Sequence, residues 1–126
     1  MTTVAEKSST GLDANVAAAL TYIPVVNVVF LVIEKGSRFV KFHAVQSLLL
    51  MAALFVAHVT LSIVTVVLGF VPILGWIASF GLFFVWIALT IGGFVVWLIA
   101  VMKAFQGEWW KMPTIGAVAE KQSANL

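Results

Sequence analysis

The sequence predicts an all-α integral membrane protein, and three observations carry that reading. Of its 126 residues, 63% are hydrophobic and only 10% charged. Its mean hydropathy is +1.14. Two stretches, Ala14 to Ile33 and Phe42 to Met102, contain no Asp, Glu, Lys or Arg over 20 and 61 residues. A soluble domain carries roughly 25% charged residues, and a chain this short has too little interior to hide so much apolar surface from water. A helix crossing the hydrocarbon needs about 20 apolar residues. The two stretches therefore accommodate one crossing and two crossings, a bundle of three transmembrane helices.

The first helix is expected over about 15–34, inside a membrane domain of 14–106. Pro24 removes a backbone donor and displaces its predecessor from helical geometry, so this helix is kinked or broken there. The alternative is a pair of half-helices forming a re-entrant hairpin, which returns the chain to its starting side and needs protein or water to cover the break. The long stretch divides at Leu68-Gly69-Phe70-Val71-Pro72-Ile73-Leu74-Gly75, giving helices over about 39–68 and 74–105. Gly92-Gly93 reads as a packing point, because a break there leaves a segment too short to span. Residues 1–13 form a polar lead and 107–126 an interfacial tail. The first stretch is too long and too weakly flanked by positive charge for a cleaved signal peptide.

Three crossings place Lys35, Arg38, Lys41, Lys103, Lys111 and Lys121 on one side against Lys7 on the other. The positive-inside rule then puts the 34–41 loop and the C-terminus in the cytoplasm, in the cytoplasmic membrane. Trp76 and the pair Trp109-Trp110 mark the two headgroup layers. From Trp76 to Lys103 is about 40 Å of helix, the thickness of a bilayer with its polar layers. A net charge of +2 with a pI near 9.2 is orientation information here, not the dense basic stripe of a nucleic-acid binder.

Polar groups inside the membrane turn toward other helices or trapped water. Measured around the second helix from His43, Ser47, His58, Thr65 and Gln46 lie at about 40°, 60°, 40° and 300°, one polar sector. His43 and His58 are expected to hold interhelical partners, His43 in the region of Tyr22 or Glu34. On the third helix Gly81, Val85, Ala88 and Gly92 share a face of small residues, where a helix of this chain or a second copy could approach.

No chemistry-bearing constellation accompanies them. The charge-free stretches lack carboxylates, the two histidines stand roughly 22 Å apart along one helix, and there is no cysteine. Zinc-protease, nucleophile-elbow and phosphate-loop motifs are absent. The expectation is a protein that is not an enzyme and takes no metal or cofactor. Its partners are the lipid bilayer and other membrane subunits or further copies of itself. The leading function is an accessory or scaffold subunit. The alternative is a pore or protein-translocation component lined by the His43–His58 stripe.

Tyr22-Ile23-Pro24, the run Ser37-Arg38-Phe39-Val40-Lys41-Phe42-His43-Ala44-Val45-Gln46-Ser47-Leu48, and Ala104-Phe105-Gln106-Gly107-Glu108-Trp109-Trp110-Lys111-Met112-Pro113 resemble a known pattern. They are similar to small bacterial and archaeal membrane proteins related to the polytopic small subunit of the chloroplast inner-envelope protein translocon, a Tic-like domain. The resemblance spans roughly residues 12–120. It implies a helical integral membrane protein, without a defined activity in its prokaryotic members and with a part in preprotein movement in the plant relative. It marks Phe39, Phe42, His43, Gln46 and Ser47 as a structural or interaction site.

Overall fold

The computed structural model describes residues 7–126. Five helices follow one another: α1 Ala14–Leu20, α2 Val26–Ile33, α3 Arg38–Leu68, α4 Leu74–Phe105 and α5 Ile115–Ala124. Among the described residues there is no strand, only one isolated bridge between Lys7 and Asp13. α3 and α4, of 31 and 32 residues, are each apolar and long enough to cross a membrane. Both lie within a residue of the boundaries expected from the charge map.

The first apolar stretch is not one helix. It is α1 and α2, of 7 and 8 residues, separated at Pro24. Neither is long enough to span alone. Pro24 offers no N–H, and Val25 after it takes φ 72°, a left-handed conformation that a β-branched residue rarely adopts. The same device recurs at each proline in the chain: Ile73 follows Pro72 at φ 65°, and Thr114 follows Pro113 at φ 66°. α2, α4 and α5 each start on the next residue. At the latter two, the Leu74 and Ile115 N–H groups bond the Pro72 and Pro113 carbonyls at 2.8 and 2.7 Å, closing tight γ-turns. The 107–126 tail, expected to be interfacial and given no helix, contains α5. Its buried Gly116, Ala119 and Ser123 recur at helical spacing.

The chain forms two compact units. One comprises the chain up to Leu50 together with Val96–Leu126. Its core gathers Phe42, Val45 and Ala119, with Leu31 and Leu49 packed against them. Asn15 of α1 donates to the carbonyl of Phe105 at the end of α4, 3.1 Å away. The N-terminal lead meets the α2–α3 loop through Glu34: Ser8 donates its hydroxyl to the carboxylate, and Ser9 donates from N–H and hydroxyl at 3.0 and 2.8 Å. The segments flanking the 14–33 stretch are thus in contact. A continuous 20-residue helix would hold them about 30 Å apart.

The other unit, Met51–Val95, is a helical hairpin. Its turn is tight: the indole N–H of Trp76 donates to the carbonyl of Gly69 at 3.2 Å, and a Cβ on Gly75 would stand 1.8 Å from the Leu68 carbonyl oxygen. Farther along, Gly93 lies against Leu54, where a Cβ would meet its methyl carbons at 2.8 Å. The outer surface carries large apolar side chains in the open, among them Phe55, Phe70, Ile77 and Phe80. A soluble protein buries its apolar helices, but only 6% of the most apolar window of α3 and of α4 is buried.

Candidate functional site

The run that the sequence singled out forms the first turns of α3 and is the centre of the first unit. Phe39, Phe42, His43, Gln46 and Ser47 are all buried. The Tyr22 hydroxyl meets His43 Nδ1 at 2.7 Å, Gln46 Nε2 donates to the Tyr22 hydroxyl at 2.9 Å, and His43 Nε2 lies 3.0 Å from the carbonyl of Glu108. A carbonyl oxygen only accepts, so Nε2 carries the ring proton and Nδ1 takes the proton of Tyr22. The bonds therefore run in one direction, from the Gln46 amide through Tyr22 and His43 to the Glu108 carbonyl.

Gln46 uses the rest of its amide as well. Nε2 donates to the carbonyl of Trp110 at 3.1 Å, and Oε1 accepts from the N–H of Met112 at 2.9 Å. The Trp110 carbonyl needs a donor and the Met112 N–H an acceptor, which fixes the orientation of the amide. Trp97 adds a bond from its indole N–H to the carbonyl of Tyr22 at 2.8 Å. Asn27 of α2 donates to Ser47 at 3.3 Å.

Around the polar chain, Phe39 and Phe42 stack edge-on to the His43 ring at 4.7 and 5.0 Å between centroids. Both also reach Trp109, at 5.4 and 5.1 Å. One helix turn thus holds the α1–α2 break and the 108–112 segment by hydrogen bonds to their backbone and side chains. Of the two regions open to His43, it meets Tyr22. Glu34 goes to Ser8 and Ser9 instead. With both nitrogens bonded and the ring fully buried, His43 presents nothing to a water-filled path.

Glu34 is itself almost fully buried. Its carboxylate accepts from the N–H groups of Gly36 and Ser37 at 3.2 and 2.9 Å, just ahead of α3, where the helix dipole favours negative charge. Burial by itself would push its pKa up. The bonds from Ser8, Ser37 and Ser9 more than offset that and hold it at about 2. Arg38 and Lys41, one turn apart, reach the main-chain oxygens of Glu120 and Leu126 at 3.4 and 3.2 Å, neutralising the C-terminal end of α5. The Arg38 guanidinium also lies over the Trp109 ring at 5.8 Å.

The remaining sequence candidates lie in the hairpin unit. His58 Nδ1 donates to the carbonyl of Leu54 at 2.8 Å, and Nε2 meets the hydroxyl of Thr90 at 2.8 Å. Its ring stands edge-on to Trp86 at 5.1 Å, so this histidine links α3 to α4. Gly81, Ala88 and Gly92 lie on an exposed face, and a Cβ on Gly81 or Gly92 would meet nothing within 4 Å. The glycine that packs against another helix is Gly93. Sequence reasoning missed the roles of Ser8, Ser9, Asn15, Asn27 and Trp97, whose partners are distant in the chain.

A profile describing a magnetosome magnetite crystal formation protein family matches residues 7–119. The chain belongs to that family. Relatives include a UPF0132 membrane protein of Methanocaldococcus jannaschii, 39% identical over 93% of this chain and 94% of its own length. A UPF0132 membrane protein of Archaeoglobus fulgidus is 37% identical over 88% of this chain and 96% of its own length. The magnetosome protein MmsF of Paramagnetospirillum magneticum is 31% identical, over 96% and 99%. No solved structure matches this chain. The family is thus one of small prokaryotic membrane proteins, as expected. The likeness to a chloroplast translocon subunit rests on the sequence run alone.

Proposed function

We propose that this protein is a non-enzymatic accessory or scaffold subunit of a membrane assembly, crossing the bilayer twice. The observation that carries the reading is how its polar side chains are spent. Tyr22, His43, Gln46 and Glu34 are all committed to holding segments of the same chain together, while the Met51–Val95 hairpin offers the surroundings an apolar surface.

The contact of Ser8 and Ser9 with Glu34 favours two crossings, by α3 and α4, over three. The stretch 14–33 then enters and leaves on one side, the re-entrant alternative. Every basic residue falls on the side of the termini, and the turn from Gly69 to Ile73 on the other is uncharged. That bias assigns the termini to the cytoplasm.

A second reading, a part in magnetite crystal formation, is favoured by the family match and by the full-length similarity to MmsF. The archaeal relatives, of higher identity, carry only the name of membrane proteins, which favours the more general role. Extraction in mild detergent followed by mass measurement of the intact particle tests the subunit reading. A particle larger than one chain, with stoichiometric protein components, is expected. A strictly monomeric particle with no other protein contradicts it.

A further inference from the structure

The charges of the described residues are unevenly matched. Asp13 pairs with Lys7 at 2.7 Å, Glu108 with Lys103 at 3.4 Å and Glu120 with Lys111 at 2.9 Å. Glu34 is satisfied by hydroxyls and amides. Among the described residues, Lys35, Arg38, Lys41 and Lys121 have no carboxylate side chain opposite them. All four lie where the start of α3 meets the C-terminal part of α5, or in the loop that leads into α3. Arg38 and Lys41 share a face of α3, Arg38 reaches the main-chain oxygen of Glu120 beside Lys121, and Lys41 reaches that of Leu126. Lys35 precedes Arg38 by three residues in the exposed loop.

The depth of this surface follows from the helix that bears it. α3 has 31 residues, about 45 Å, which matches the bilayer including its polar layers. Its first turn therefore stands at headgroup level, and Trp109 beneath Arg38 is the residue type that prefers this layer. We propose that Lys35, Arg38, Lys41 and Lys121 form a binding surface for the phosphate groups of anionic phospholipids in the leaflet on the charged side. The proposal rests on the membrane reading above. Incorporation into lipid discs reports on that reading separately from lipid preference.

The test places the full chain in nanodiscs of mixed phosphatidylcholine and phosphatidylglycerol, and the lipid retained after detergent extraction is counted by native mass spectrometry. Phosphatidylglycerol is expected to be retained above its input share, less so at high salt. The variant K35Q/K41Q/K121Q loses the enrichment, by about fivefold per lysine, equivalent to about 1 kcal/mol each. K7Q/K103Q/K111Q, with the same change in net charge, keeps it. The single variants K35Q and K121Q leave every described hydrogen bond intact, and each lowers enrichment on its own. Retention at the input ratio, equal losses in the two triple variants, unchanged enrichment in both single variants, or displacement of the lipid by millimolar inorganic phosphate would each overturn the proposal.

Discussion

Replacing Tyr22 by Phe removes a single oxygen from the centre of the first unit. That hydroxyl donates to His43 Nδ1 at 2.7 Å and accepts from Gln46 Nε2 at 2.9 Å, and all three side chains are fully buried. The benzene ring stays, so no large cavity forms. What remains is an imidazole nitrogen without a donor and an amide hydrogen without an acceptor, in a place water does not reach. Each orphaned group costs about 1–3 kcal/mol, so the two together cost about 2–6 kcal/mol. Gln46 keeps its bonds to Trp110 and Met112, which holds the figure to the lower part of that range. Equilibrium unfolding in detergent, followed by tryptophan fluorescence, measures it. A double-mutant cycle with Gln46→Leu should give a coupling of 0.5 kcal/mol or more, typical of residues in one network. A Tyr22→Phe protein within about 0.5 kcal/mol of wild type would refute the directed chain of bonds and the burial on which the estimate depends.

The Glu34 carboxylate gives a pH dependence. Its pKa is lowered from 4.5 to about 2, so its stabilisation is fully present above about pH 4.5 and is lost as pH falls toward 2. The whole effect is about 3 kcal/mol. Glu34→Gln should lose most of it at neutral pH, and hydrogen exchange at the Ser9, Gly36 and Ser37 amides should accelerate in parallel. Gly75→Ala should prevent the turn from closing, because its Cβ would overlap the Leu68 carbonyl. Gly81→Ala meets nothing and should be neutral or up to about 1 kcal/mol stabilising through helix propensity, with thermal unfolding in detergent separating the two. His58→Leu should lose about 1 kcal/mol with the Thr90 contact. If the protein conducts ions through reconstituted liposomes along this face, the same variant should abolish the flux, and an unchanged flux would remove His58 from any conducting path.

The long elements were legible because their signal is crude and strong. Sixty-one residues without charge, broken once at a Gly–Pro cluster, leave little choice but two helices, and α3 and α4 begin and end where that pattern says. Pro24 marked the break in the first stretch, but its consequence was ambiguous. Whether a broken apolar segment crosses or turns back depends on contacts outside it, such as those of Ser8 and Ser9 with Glu34, which no local period encodes. α5 was missed because its buried stripe is Gly, Ala and Ser, whose small side chains carry a weak apolar signal. At the site, a polar run in an apolar helix pointed to His43 and Gln46, since such groups need partners in lipid. It could not show that those partners are backbone groups of Glu108, Trp110 and Met112, because a carbonyl has no residue identity to read. Gly92 and Gly93 present identical chemistry, and only the packing of Leu54 distinguishes them.

The side of the membrane on which each end of the 14–33 stretch emerges is the point on which the rest turns. The chain has no native cysteine, so Thr10→Cys, Phe70→Cys and Gln122→Cys can each be introduced alone, at exposed positions, and labelled in oriented vesicles with a membrane-impermeant maleimide. Positions 10 and 122 should react from the same face and position 70 from the opposite one. Labelling of positions 10 and 122 from opposite faces would restore a third crossing and contradict the account.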